Sequence, residues 1–102
     1  MIFIETTIFT RQVLELLPDE QYRELQSALI DDPEIGPVIQ GGGGLRKLRW
    51  AIPGHGKRGG ARVIYYLVTQ DKILLVYLYR KTKQDDLTFD QLNRLRKKIE
   101  EE

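Results

Sequence analysis

The sequence contains no cysteine, so disulfide bonds and thiolate metal sites are excluded and the fold must depend on packing alone. The single histidine excludes a histidine pair for metal binding or acid–base catalysis. No apolar run approaches the roughly 20 residues of a membrane-spanning helix. Residues 1–5 lack the basic region and the small-residue cleavage site of a secretory signal. We therefore expect one cytoplasmic domain over residues 1–102, without membrane contact.

Positive charge, in contrast, is concentrated in the middle of the chain. Between residues 45 and 83 there are ten Lys and Arg residues and one acid, Asp71, which gives this segment a charge of +9 in a chain of net charge +1. The segments before and after it are both net acidic. A cationic zone in a nearly neutral chain indicates a polyanionic partner that is met on one surface. Nucleic acid is the leading candidate.

The apolar pattern predicts an α+β domain that begins with a short strand over residues 1–5. Two amphipathic helices follow. The first is capped by Thr6 or Thr7 and ends near Leu17, and the second begins at Pro18. Together these helices form a hairpin that can cover one face of a sheet.

A glycine-rich loop then leads to three predicted strands, at residues 45–52, 61–69 and 72–81. Thr88 and Gln91 form a capping box at the start of a terminal helix. The predicted fold is therefore an antiparallel sheet with an N-terminal helical hairpin on one face and a C-terminal helix.

The pairing of the strands can be predicted from their turns. A two-residue turn at residues 70–71 places Arg62 opposite Tyr79, and pairing across the longer loop places Arg49 beside Ile64. Alternation then sorts the side chains into two faces. The apolar face contains Leu48, Trp50, Ile52, Val63, Tyr65, Leu67, Leu74, Val76 and Leu78. The other face, predicted to be open to solvent, contains Lys47, Arg49, Arg62, Tyr66, Tyr77, Tyr79 and Lys81, together with Ile64, Ile73 and Leu75 toward the turn end.

This second face offers cations for phosphates and aromatic rings for stacking on bases. The loop at residues 53–60 adds Lys57 and Arg58 among four glycines, which allow backbone N–H groups to approach a phosphate. The loop is not a P-loop, because Lys57 is followed by Arg58. We expect it to contact phosphate, the alternative being a flexible solvated hairpin. His55 is interpreted as incidental rather than catalytic.

Three stretches resemble the RelE/HigB-like toxins of bacterial toxin–antitoxin pairs: Gly-Leu-Arg-Lys-Leu-Arg-Trp at 44–50, Gly-Gly-Ala-Arg-Val-Ile-Tyr-Tyr at 59–66 and Tyr-Leu-Tyr-Arg-Lys-Thr-Lys at 77–83. The resemblance covers nearly the whole chain. It implies a fold similar to the microbial ribonucleases and an enzyme that cleaves translated mRNA in the ribosomal A site. It also implies a cognate antitoxin that holds the enzyme inactive.

By position, the resemblance assigns Arg62 to the scissile phosphate, Lys81 to the lysine after the last strand, and Lys57 with Arg58 to the basic loop. Some family members carry a tyrosine where this chain has residues 87–89, Leu-Thr-Phe. Stacking on the substrate base would then pass to Tyr79 or Tyr66, the alternative being weaker stacking. The candidate RNA-binding residues are Lys47, Arg49, Arg58, Tyr66, Tyr79, Arg80 and Lys83, and for Lys47 and Arg49 a solvated strand face is the alternative.

RNA supplies its own nucleophile, the 2′-OH, so the enzyme needs a base, cations to stabilise the phosphorane and an acid for the 5′-oxygen. This chemistry requires neither metal nor cofactor. Lys57 and Lys81 are the candidate bases, because neighbouring cations disfavour a protonated lysine, and Arg62 is the phosphate clamp. Two alternatives stay open: a ParE-like inhibitor of DNA gyrase and a non-catalytic RNA-binding module.

Overall fold

The computed structural model describes residues 1–52 and 60–101. Its elements, in chain order, are β1 (Ile2–Glu5), α1 (Thr7–Leu16), α2 (Asp19–Asp31), β2 (Leu45–Trp50), β3 (Ala61–Thr69), β4 (Lys72–Arg80) and α3 (Phe89–Glu100). They form one sheet of strand order β1-β4-β3-β2. None of the helices in these residues combines the length and the hydrophobicity needed to cross a bilayer.

The α+β class predicted from the sequence is confirmed, but the sheet is mixed rather than wholly antiparallel. Strands β2, β3 and β4 pair antiparallel, as predicted, whereas β1 pairs parallel with β4. The helical hairpin carries the chain from β1 to the far edge of the sheet, where β2 begins. Strand β1 therefore pairs with the last strand, β4, which runs in the same direction as β1.

The helical hairpin is fixed to the sheet at its first turn. The hydroxyl of Thr6 accepts a hydrogen bond from the Phe9 N–H at 3.1 Å and donates one to the Val76 carbonyl at 2.8 Å. Phe9, Leu25 and Leu29 are fully buried against one face of the sheet. Burial of a side chain of this size contributes about 1.5–3 kcal/mol. The larger of the two apolar clusters lies on this face, which therefore holds the main core.

A β-bulge changes which side chains of β4 belong to each face. The pairing of β3 with β4 shifts between Ile64 and Tyr65 and leaves Val76 as an extra residue. As a result Ile73 and Leu75 pack under the hairpin, and Leu74 and Val76 pack under α3. The predicted faces of these four residues were therefore wrong, because alternation assumes an uninterrupted ladder.

The second face is also less open than predicted. Helix α3 lays Leu95 on Ile64, Leu74 and Val76, and this second cluster buries part of the face that was expected to meet solvent. The apolar stripe of α3 needs a partner, and the hairpin already occupies the other face. Only the end of the sheet beyond α3 remains for polar side chains.

The predicted capping box at the start of α3 is confirmed. The Thr88 hydroxyl accepts from the Gln91 N–H at 3.1 Å, and the Gln91 side-chain oxygen accepts from the Thr88 N–H at 2.9 Å. We expect Thr88→Ala to lower the free energy of unfolding by about 1 kcal/mol in urea denaturation. Thr82→Ala, in an exposed turn, serves as the control and should change it by less than about 0.5 kcal/mol. Equal losses in the two variants would contradict a specific role for the cap.

Candidate functional site

Arg62 lies at the centre of a cross-strand row at the end of the sheet. It faces Tyr79 of β4, as predicted, and Arg49 of β2. The predicted register, with Arg49 beside Ile64, was wrong by two residues. A shift of two leaves every side chain on its predicted face, so Arg49 and Arg62 still share one surface.

The guanidinium of Arg62 is buried, with 6% of the residue exposed. Within the described residues its hydrogen bond is from Nη1 to the Ala61 carbonyl, at 3.1 Å. A guanidinium has five N–H donors arranged as a fork that matches phosphate oxygens. A buried guanidinium with donors left unused by the described residues can therefore bind an anion at this end of the sheet.

Two arginines directly opposite each other repel. Like charges at facing positions of a sheet are destabilising, and no ion pair within residues 1–52 and 60–101 involves Arg49 or Arg62. An anion placed between them would offset this repulsion with two charge-assisted hydrogen-bonding groups. The row therefore carries a local positive charge to which an anion can bind.

Three buried polar atoms at the same end of the sheet have no hydrogen-bond partner among the described residues. They are Trp50 Nε1, Tyr79 Oη and Arg80 Nε. Trp50 and Arg80 pair with Ala61 and therefore lie on the face opposite to Arg62, whereas Tyr79 shares the face of Arg62. An unpaired buried polar group costs about 1–3 kcal/mol, so of the three atoms the Tyr79 hydroxyl is the one that a polar ligand beside Arg62 could satisfy.

Tyr79 is held in its neutral form. Burial raises the pKa of its hydroxyl to about 12, with a further rise from the nearby Asp86 carboxylate and an opposing effect of Arg62. At neutral pH the hydroxyl therefore keeps its proton and can donate it in a hydrogen bond. Its ring lies 6.0 Å from that of Tyr77 at an angle of 44°, which continues an aromatic surface towards α3.

Two acidic residues that follow β4 pair with the predicted lysines. Lys81 Nζ lies 2.7 Å from Asp85 Oδ1, and Lys47 Nζ lies 3.3 Å from Asp86 Oδ1. Surface ion pairs of this kind contribute about 0–1 kcal/mol, so a phosphate can replace either carboxylate at little cost. Lys81 would have to exchange Asp85 for substrate before it could act on a proton.

Sequence reasoning missed Asp86. Its Oδ1 accepts from the Leu87 N–H at 2.8 Å as well as from Lys47. Burial acts to raise the pKa of this carboxyl, but the Leu87 N–H and the Lys47 ammonium outweigh it and hold the pKa below its usual range. A signal was present, because two adjacent acids follow the last basic cluster just before a helix cap.

The other predicted residues are spread around this centre. Arg80 is half-buried at the end of β4, and Lys83 is exposed in the turn after it. Tyr66 is half-buried and lies four residues along β3 from Arg62, about 13 Å away at the usual rise of a strand. Lys57, Arg58 and His55 lie outside the described residues.

Fold and site together define a small α+β domain whose sheet carries a buried arginine near one end, opposite a second arginine and a tyrosine. The model of a protein family described as RelE toxin of the RelE / RelB toxin-antitoxin system matches residues 15–101. Because this match spans most of the chain, the chain belongs to the RelE toxin family. It is therefore a toxin of a toxin–antitoxin system, and family membership implies an antitoxin partner. The RelE-like fold predicted from the sequence is confirmed.

Proposed function

We propose that this toxin is a metal-independent endoribonuclease of the cytoplasm that cleaves translated mRNA in the ribosomal A site. The observation that carries the proposal is the row formed by Arg49, Arg62 and Tyr79. Arg49 and Arg62 have no carboxylate partner in the described residues, and they lie beside the neutral phenol of Tyr79. These groups match the negative charge and the hydrogen-bond acceptors of a phosphodiester in its transition state.

The reaction begins with the 2′-OH of the RNA. A lysine, Lys57 or Lys81, takes its proton as the O2′–phosphorus bond forms. Arg62 hydrogen-bonds to the non-bridging oxygens, whose negative charge grows in the phosphorane. The phosphorus–O5′ bond then breaks, and the leaving oxygen receives a proton from an acid. The products are a 2′,3′-cyclic phosphate and a 5′-hydroxyl end.

The remaining cations bind the RNA on either side of this centre. Arg49 and Lys47 follow one another along β2 on the face of Arg62 and can contact consecutive phosphates. Arg80 and Lys83, at and after the end of β4, add further contacts. Arg58, which lies outside the described residues, is proposed as an additional RNA contact. The half-buried ring of Tyr66 offers a stacking surface further along β3. Tyr79 was expected to stack as well, but its ring is buried, so it can contribute only its hydroxyl next to the scissile phosphate.

Primer extension on a reporter mRNA tests this proposal. On induction of the toxin, we expect new 5′ ends within the translated frame and none in the same mRNA with its start codon removed. Co-expression of the antitoxin should abolish them. Growth arrest with intact mRNA would point to another target, such as DNA gyrase. Equal cleavage of the untranslated mRNA would contradict dependence on the ribosome.

A further inference from the structure

A groove of about 650 Å³ follows the outer edge of β2, next to the arginine row. We call it the edge groove. Its apolar side includes Ile35, Val38 and Leu48, and its polar side consists of Gln40, Lys47, Arg49 and Asp86. The volume falls in the range of about 300–1,000 Å³ that is typical of small-molecule sites. Arg49 thus belongs both to the edge groove and to the row that faces Arg62.

The apolar wall of the edge groove is held in place by the backbone. The Ile39 N–H donates to the Leu45 carbonyl at 2.8 Å, and the Lys47 N–H donates to the Pro37 carbonyl at 3.0 Å. Val38 is bridged to Arg46 between these two bonds. The segment therefore runs beside β2 like a short added strand, and the groove is formed before any ligand arrives.

The wall also leaves apolar side chains exposed. Val38 is 56% exposed and Ile35 is 43% exposed, beside two cations. A nucleotide matches this combination, because its base has apolar faces and its phosphate is an anion. Arg49, which lines the groove, faces Arg62 across the strands, so a nucleotide in the groove would lie next to the one whose phosphate Arg62 holds.

Asp86 can read the edge of such a base. Its hydrogen bonds to Lys47 Nζ and to the Leu87 N–H both use Oδ1, and the Tyr79 hydroxyl lies close beside the carboxylate. The carboxylate has further lone pairs on Oδ2 with which it can accept from a ligand. The Leu87 N–H fixes the orientation of the carboxylate. An ionised carboxylate only accepts hydrogen bonds, so it favours the exocyclic amino groups of cytosine, adenine or guanine. Uracil has no exocyclic amino group, and its ring N3–H donor lies between two carbonyl oxygens that the carboxylate repels.

We propose that the edge groove binds one mRNA nucleotide next to the scissile phosphate, and that Asp86 selects a base with an exocyclic amino group over uracil. This inference rests on the proposed function and adds a base preference to it. Asp86 acts here as a specificity residue, distinct from the groups that move protons.

The first test is the cleavage of translated reporters that carry each of the four bases at every codon position. For the wild type we expect uracil to be disfavoured about tenfold at one position, the effect of one hydrogen bond to a charged group. In Asp86→Asn the amide can also donate, so the discrimination should fall to within about twofold. Glu34→Gln removes an equally exposed carboxylate that pairs with Arg46 outside the groove, and it should keep the wild-type preference.

The second test measures binding without cleavage, by NMR of the Ile and Val methyl groups. Cytidine 5′-monophosphate should shift the methyls of Val38 and Ile35 at about tenfold lower concentration than uridine 5′-monophosphate. Asp86→Asn should make the two concentrations equal, and Val38→Ser should weaken both. Ile30→Ser, an exposed change on α2, should weaken neither. Shifts confined to other methyls, or equal responses to both nucleotides, would overturn the proposal.

The two tests separate the inference from the function on which it rests. If cleavage does not depend on the base at any position, the proposed nucleotide binding in the edge groove is wrong, while the proposed nuclease activity is supported. If cytidine 5′-monophosphate shifts the groove methyls selectively but the protein leaves translated mRNA intact, the proposed nuclease activity is wrong. The edge groove is then supported as a nucleotide site.

Discussion

Arg62→Gln is expected to reduce cleavage of translated mRNA by at least about 100-fold, the usual loss when one donor to a developing oxyanion is removed. Glutamine keeps a side chain that can donate to the Ala61 carbonyl, but it loses the charge and the fork of donors. It also removes the repulsion from Arg49 across the strands. We therefore expect the activity to fall while the melting temperature stays within a few degrees of the wild type.

The measurement is single-turnover cleavage on ribosomes programmed with a defined mRNA, together with the affinity of the toxin for the same ribosomes. A clamp on the transition state should lower the rate constant much more than the affinity. Arg23→Gln, an exposed change on α2 with the same loss of charge, is the matched control and should retain both. A rate within threefold of the wild type would exclude Arg62 as the clamp, and a loss of affinity alone would favour a non-catalytic RNA-binding module.

The order of the elements was predictable because its signals are local. The bounds of β3, Ala61–Thr69, were predicted correctly, and Arg62 opposite Tyr79 followed from a two-residue turn. The hydroxyl cap of α1 and the capping box of α3 likewise depend on residues three apart in the chain.

The errors arose where distant parts of the chain decide the outcome. The bulge at Val76 lets β4 present apolar side chains to the hairpin and to α3 at once, and alternation within one strand cannot show that two layers will form. The parallel pairing of β1 depends in the same way on where the hairpin leaves the chain.

The same distinction applies to the site. Basic residues and tyrosines on one face could be read from alternation, and most of them lie on that face. The carboxylates that pair with these lysines could not be read in this way. Asp86 reaches Lys47 from 39 residues further along the chain, because α3 folds back over the second face. The wall formed by Ile35 and Val38 comes from a segment that the sequence predicted only as a loop.

Tyr65→Phe is expected to lower the free energy of unfolding by about 2–4 kcal/mol, a large loss for the removal of one oxygen atom. The hydroxyl is buried, donates to the Pro33 carbonyl at 2.7 Å and accepts from the Gly36 N–H at 2.9 Å. Phenylalanine would leave both backbone groups without a partner, at about 1–3 kcal/mol each. Burial raises the pKa of Tyr65, so the hydroxyl remains a donor at neutral pH. Urea denaturation measures the loss, and Tyr66→Phe is the control.

The hydroxyl of Tyr66 makes no hydrogen bond within the described residues, so its removal should change the free energy of unfolding by less than about 0.5 kcal/mol. Tyr65→Phe should also speed amide hydrogen exchange at Gly36 and across residues 33–38. These residues carry the apolar wall of the edge groove, so a looser wall should lessen the discrimination against uracil while Asp86 is unchanged. Fast exchange at Gly36 with full base selectivity would mean that the wall does not position the base, and Asp86 would then have to select it alone.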